Sequence, residues 1–147
     1  MNKRLLYSST IIGLVIILIS LYFYNERLLP LYAITYIGII TSIINHGITS
    51  KSAKNLDRFI MIISSIIYIY YAINIEEDLL KIITLCIVGI MMFLYIFSKA
   101  IKILLDDNKT STNIHALTHC ITLLPFCIIV INDYFYSKNN IIMFKDF

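Results

Sequence analysis

Charged residues are scarce in this sequence. Asp, Glu, Lys and Arg make up 14% of the chain, against about 25% in a typical soluble domain. The 12 lysines and arginines are spread out and form no basic cluster, which excludes a nucleic-acid footprint. The 3 cysteines are an odd number and lie in apolar segments, which argues against a disulfide framework.

A cleavage site is also missing after the first apolar stretch. Lys3-Arg4 precede a run from Leu5 to Tyr24 that contains no small-x-small motif. That run is longer than the apolar region of a signal peptide. We therefore expect a retained first membrane span.

Long apolar runs dominate the rest of the chain, which is 59% hydrophobic with a mean hydropathy of +0.84. Runs of this length are typical of transmembrane helices. The sequence predicts an all-α integral membrane bundle of about five transmembrane helices, in one domain covering residues 1–147. The expected spans are 5–24, 28–46, 57–74, 79–105 and 113–132, followed by an interfacial tail over 133–147.

The polar residues that border these runs are concentrated in two motifs. Ser42 and His46 end span two, Asp57 begins span three, and His115 and His119 begin span five. We call the side of the membrane that holds the N-terminus side A. With five spans, the end of span two and the beginnings of spans three and five all lie on side A, and so do these residues. Ionisable residues bordering spans are functional candidates by default.

Lysine and arginine counts predict the orientation, because cytosolic loops carry an excess of both. Side A holds Lys3, Arg4, Lys51, Lys54, Arg58, Lys99, Lys102 and Lys109, and side B holds Arg27, Lys81, Lys138 and Lys145. This bias favours a cytosolic side A, with the candidate site on it. The Asn108-Lys109-Thr110 sequon also lies on side A, so its glycosylation in cells would reverse the assignment.

The two motifs contain the groups of a catalytic zinc site. Three imidazoles, from His46, His115 and His119, leave one tetrahedral position open on Zn²⁺, as in catalytic rather than structural zinc sites. Water in that position has a pKa of about 7. Asp57 is expected at a helix N-terminus, where the helix dipole favours its ionised form. It would act as general base toward the zinc water. Ser42 shares a helical face with His46 and would stabilise an oxyanion.

This pattern resembles the CREST superfamily of multi-pass membrane metal-dependent hydrolases. The match consists of Ser42-x-x-x-His46, an acidic Asp57 eleven residues later, and a distant His115-x-x-x-His119. The spacing of the first motif is most similar to the alkaline ceramidase branch. The resemblance implies zinc on the three histidines and hydrolysis of a lipid amide assisted by the serine and aspartate. It also implies a bundle shortened from seven spans to five.

From these observations we expect a zinc-dependent hydrolase that acts on an amide or ester of a membrane lipid, with a ceramide-like substrate as the first guess. Three alternatives remain open: a receptor-like or assembly protein with a structural zinc site, haem ligation by His46 and a span-five histidine, and a bundle or pore without a cofactor. Pairing of the bundle with itself is also left open.

Overall fold

Five helices follow one another in the computed structural model, which describes residues 2–48 and 50–143. No β-strand occurs within these ranges. A short 3-10 turn, Glu26–Leu28, precedes the second helix. The helices are α1 (Lys3–Tyr22), α2 (Leu29–Gly47), α3 (Lys51–Ile73), α4 (Asp78–Leu104) and α5 (Asn108–Met143). The predicted all-α bundle is therefore confirmed.

Two helices begin earlier than the hydropathy predicted. Ser50 accepts a hydrogen bond from the Ala53 backbone N–H and caps α3, so this helix begins at Lys51 rather than at Asp57. Asp107 likewise accepts from Thr110, and α5 begins at Asn108 rather than at residue 113. The Thr110 side chain and backbone both bond to the Asp107 carboxylate and lower its pKa.

The final helix also extends further than predicted. Helix α5 continues past residue 132 to Met143, so the first part of the predicted interfacial tail is helical. The last four residues of that tail, 144–147, lie outside the described residues.

The helices pack in an incomplete ring. Helix α1 packs against α2 and α5, α2 packs against α3, and α4 packs against α5, whereas α3 and α4 share a much smaller contact. Fully buried side chains fill the centre, including Ile16, Leu31, Phe126 and Val130. Close packing on one side and a loose α3–α4 contact on the other leave a lateral opening in the bundle.

Apolar side chains cover the outside of the bundle as well as the inside. Every helix is long and apolar enough to cross a membrane, which indicates a multi-pass membrane protein. Large aliphatic and aromatic residues on the outer surface are more than half exposed, as lipid-facing residues are; examples are Ile11, Leu18, Ile62, Phe93 and Ile96.

Polar contacts tie three helix ends together at one end of the bundle. The Asn2 backbone N–H donates to the His46 carbonyl at 3.1 Å, and the Asn2 side chain donates to the Thr112 hydroxyl at 3.2 Å. Arg4 also bonds to Asn113. The start of α1, the end of α2 and the start of α5 therefore meet, and this is the end where the candidate site lies.

Candidate metal centre

The three histidines of the chain meet inside the bundle. His46 comes from the last turn of α2, and His115 and His119 lie one turn apart on α5. His46 and His115 are 7% and 4% exposed, and His119 is half-buried. Their ring centroids are 4.9 to 5.6 Å apart, so helices distant in sequence form one cluster.

The donor set suits a metal ion. One ring nitrogen from each histidine lies within 4.8 Å of the other two. Ligand nitrogens around tetrahedral zinc are about 3.4 Å apart, given Zn–N distances of about 2.0–2.1 Å, so small side-chain rotations close the difference. In addition, the buried His46 Nε2 atom has no hydrogen-bond partner in the part of the chain that the structure describes. Such an orphaned acceptor or donor is costly unless something binds it.

Asp57 lies beside this cluster on α3. Its side chain is 2% exposed, and Asn45 Nδ2 donates to Oδ2 at 2.6 Å. The other carboxylate oxygen, Oδ1, has no hydrogen-bond partner within residues 2–48 and 50–136. The aspartate is the seventh residue of α3, not its first. The helix dipole acts within the first turn, so the predicted effect of the dipole on Asp57 does not apply.

Ser42 belongs to a pair of buried hydroxyls. Its Oγ lies 3.2 Å from Ser9 Oγ, and Ser9 Oγ lies 3.4 Å from His119 Nε2. The structure therefore links Ser42 to the histidine cluster through Ser9, a residue of α1 that the sequence interpretation missed. Ser9 lies within a Ser8-Ser9-Thr10 run in the first span, and no spacing rule connects it to the motifs.

Tyr95 is a second residue that the sequence did not reveal. Its ring packs edge-on against His115 with centroids 5.4 Å apart, and Lys99 Nζ lies 5.1 Å from the Tyr95 ring centroid. Both residues are on α4, which supplies none of the predicted site residues. Helix α4 therefore forms the remaining wall of the site.

Two cavities meet at Asp57. A small one of about 90 Å³ is lined by Ser9, Ser42, Asp57, His115 and His119, among others. A larger cleft of about 930 Å³ lies between α3 and α4, and its lining includes His46 and Asp57. Asp57 therefore lines both the cavity that holds Ser42, His115 and His119 and the cleft that holds His46.

Comparisons with protein families, curated proteins and solved structures give no match to this chain.

Proposed function

We propose that the chain is a zinc-dependent membrane hydrolase that cleaves an amide or ester of a membrane lipid. The observation that carries the proposal is a pair of buried atoms, His46 Nε2 and Asp57 Oδ1, that have no hydrogen-bond partner among the described residues and belong to residues lining one cleft. A purely structural bundle has no use for a buried carboxylate oxygen and a buried imidazole nitrogen left without partners.

His46, His115 and His119 would hold the metal, since they supply three ligand nitrogens and leave a fourth position for a reactant. When bound, zinc supplies Lewis acidity toward a carbonyl and activates water for attack. His46 lines the cleft between α3 and α4, so the three histidines would fix this chemistry beside a space that a lipid carbonyl could enter from the bilayer.

Asp57 acts as the proton carrier. Oδ2 is held by Asn45, and Oδ1, which has no partner among the described residues, would accept the proton of the attacking water. Hydrolysis adds the water oxygen to the acyl carbon and breaks the bond to nitrogen or oxygen. The proton then passes from Asp57 to the departing amine or alcohol, and the Ser42 hydroxyl donates to the oxyanion formed on the way.

The loose contact between α3 and α4 supports lateral entry. A lipid substrate already concentrated in the bilayer needs no soluble binding domain, and the cleft offers it a path to the histidines. The motif resemblance to membrane metal-dependent hydrolases, described above, supports the same reaction class.

The decisive experiment is metal analysis by mass spectrometry on detergent-purified, chelator-free protein. We expect about one zinc per chain in the wild type and its loss in His46→Ala and in His115→Ala. The Asp57→Asn variant keeps the metal and loses hydrolysis of a panel of lipid amides and esters by about 10²–10⁴-fold. Metal-free wild type contradicts the proposal. Bound metal without turnover against any lipid assigns a structural role instead.

A further inference from the structure

The cleft between α3 and α4 has apolar walls for most of its length. Lining side chains include Met61, Ile62, Ile66, Ile69, Met92 and Ile96. Of these, Ile62, Ile66 and Ile96 are more than 60% exposed, and in a membrane that exposure faces acyl chains. The walls are therefore continuous with the hydrocarbon region and suit an alkyl chain.

Four cations line the end of the cleft nearest the histidines. They are Lys54 and Arg58 on α3 and Lys99 and Lys102 on α4, and the one acidic residue in the lining is Asp57. Four positive charges and one negative charge give the lining a formal net charge of +3. The charges of Arg58, Lys102 and Lys54 act on Lys99, and so does the opposite charge of Asp57, so these side chains form one electrostatic group with an excess of positive charge.

Asp57 is the nearby counter-charge of these cations, but within the described side chains none of the four forms an ion pair with a carboxylate. Among residues 2–48 and 50–136, whose side chains the structure describes, the single ion pair joins Lys81 to Asp78 at the opposite end of α4. Lysines at a membrane interface often extend toward water. Lys99 differs because it is half-buried and stacks on Tyr95, with its charge directed into the cleft. Lys54, Arg58 and Lys102 are exposed at the mouth of the cleft, and a cluster of like charges of this kind is stabilised by a bound anion.

We propose that the cleft binds a membrane lipid with a phosphate headgroup, the phosphate on the Arg58, Lys99 and Lys102 side chains and one acyl chain along the apolar wall. Guanidinium and ammonium groups are the usual partners of phosphate in proteins. This inference rests on the proposed function and deepens it, since it replaces the ceramide-like first guess with an anionic lipid.

The relative positions of the groups are consistent with hydrolysis of such a lipid. The cations lie at the same end as His46 and Asp57, so a carbonyl near the headgroup lies at the candidate metal centre. For an acyl glycerol phosphate, water breaks the acyl–oxygen bond. The carboxylic acid keeps the water oxygen, and glycerol phosphate leaves with the proton.

Lipid binding to the purified protein in neutral detergent, monitored by native mass spectrometry, tests the proposal. The probes are 1-oleoyl lysophosphatidic acid and monooleoylglycerol, which share one acyl chain and differ in the phosphate. We expect the phosphate lipid to bind about tenfold or more tightly, because charge-assisted hydrogen bonds favour it. Free glycerol phosphate at the same concentration does not compete, which separates a lipid site from a phosphate site. Equal binding of the two lipids, or full competition by glycerol phosphate, overturns the proposal.

A matched pair of triple variants separates the cleft from general surface charge. Arg58→Gln, Lys99→Gln and Lys102→Gln remove three charges that line the cleft. Lys3→Gln, Lys51→Gln and Lys109→Gln remove three exposed charges from the same end of the bundle but outside the cleft lining. We expect the first set to abolish the preference for phosphate and the second to retain it. An equal loss in both sets assigns the preference to the surface and overturns the proposal.

Two further measurements keep the result independent of folding and of the metal. A diazirine-labelled oleoyl lysophosphatidic acid should cross-link wild-type protein at α3 and α4 residues of the cleft wall, and cross-links spread over all five helices contradict the site. The binding assay is repeated on metal-stripped protein. If metal-stripped protein still prefers the phosphate lipid, this inference stands even where the hydrolase proposal fails. If the protein binds zinc but shows no preference for the phosphate lipid, this inference fails and the hydrolase proposal stands.

Discussion

Asn45 Nδ2 donates to Asp57 Oδ2 at 2.6 Å, and this bond joins α2 to α3 beside the histidine cluster. It is the only hydrogen bond found for the Asp57 carboxylate in the part of the chain that the structure describes, since Oδ1 has no partner. The orientation of the candidate proton carrier therefore depends on one neutral amide.

Replacing Asn45 by alanine should damage both stability and activity. Loss of the donor leaves a buried carboxylate without a partner, and we expect the free energy of unfolding to fall by about 1.5–3 kcal/mol. Hydrolysis should fall about tenfold through the rate constant rather than KM, because Asp57 loses its orientation. Denaturation in detergent and steady-state kinetics measure the two effects. The control is Asn55→Ala, an exposed asparagine of α3, and equal effects of both substitutions would contradict the role of Asn45.

Ser9→Ala should weaken metal binding. The Ser9 hydroxyl contacts His119 Nε2, and partners that orient a metal-binding histidine are worth about 10–100-fold in affinity. Competition with a zinc-selective chelator measures the change. Ser8→Ala is the matched control, because the Ser8 hydroxyl bonds to the Leu5 carbonyl of its own helix. Unchanged or tighter zinc binding in Ser9→Ala would show that the serine does not hold the ring for the metal.

A methyl group at Gly13 should destabilise the bundle. A Cβ atom there would lie 2.6 Å from the Ile39 Cγ2 atom, where α1 approaches α2, whereas a Cβ at Gly89 meets nothing within 4 Å. We expect Gly13→Ala to lower the free energy of unfolding by about 1–3 kcal/mol. Gly89→Ala should leave it unchanged or raise it by up to about 1 kcal/mol. Thermal unfolding in detergent compares the two, and equal midpoints would refute the close approach.

Cysteine labelling tests the proposed orientation. Lys51 begins α3 and Glu76 lies in the connection at the other end of that helix. Because the lysine and arginine bias favours a cytosolic side A, an impermeant maleimide should label Glu76→Cys on intact cells and Lys51→Cys only after permeabilisation. The wild-type chain, with its three native cysteines, gives the background. The opposite pattern places the candidate site on the outer face.

Hydropathy was sufficient to predict the helical bundle, because crossing a bilayer requires long apolar helices. It was less accurate at polar helix ends. The segment from Lys51 to Leu56 is helical although it is polar, since the Ser50 cap starts the helix in advance of the apolar run. Windowed hydropathy reports depth in the membrane and carries no information about capping hydrogen bonds.

The sequence likewise predicted part of the candidate site and missed the rest. Motif spacing singled out the histidines, Ser42 and Asp57, and the structure brings these residues to one end of the bundle. Ser9, Tyr95 and Lys99 were not found, because their proximity depends on how each helix is rotated about its axis. In helices that are apolar on most faces, the sequence contains little information about that rotation.

Because the histidines are divided between α2 and α5, they enter the membrane at different times during synthesis. Ribosomal synthesis delivers helices from the N-terminus onward, so His46 enters the membrane long before the chain reaches His115. Until α5 is inserted, His46 lacks the two histidines of its cluster, and a polar side chain bordering a membrane span is costly in lipid. Under the proposed function, metal acquisition would therefore be a late, post-insertional event, since a chain truncated before residue 108 lacks His115 and His119.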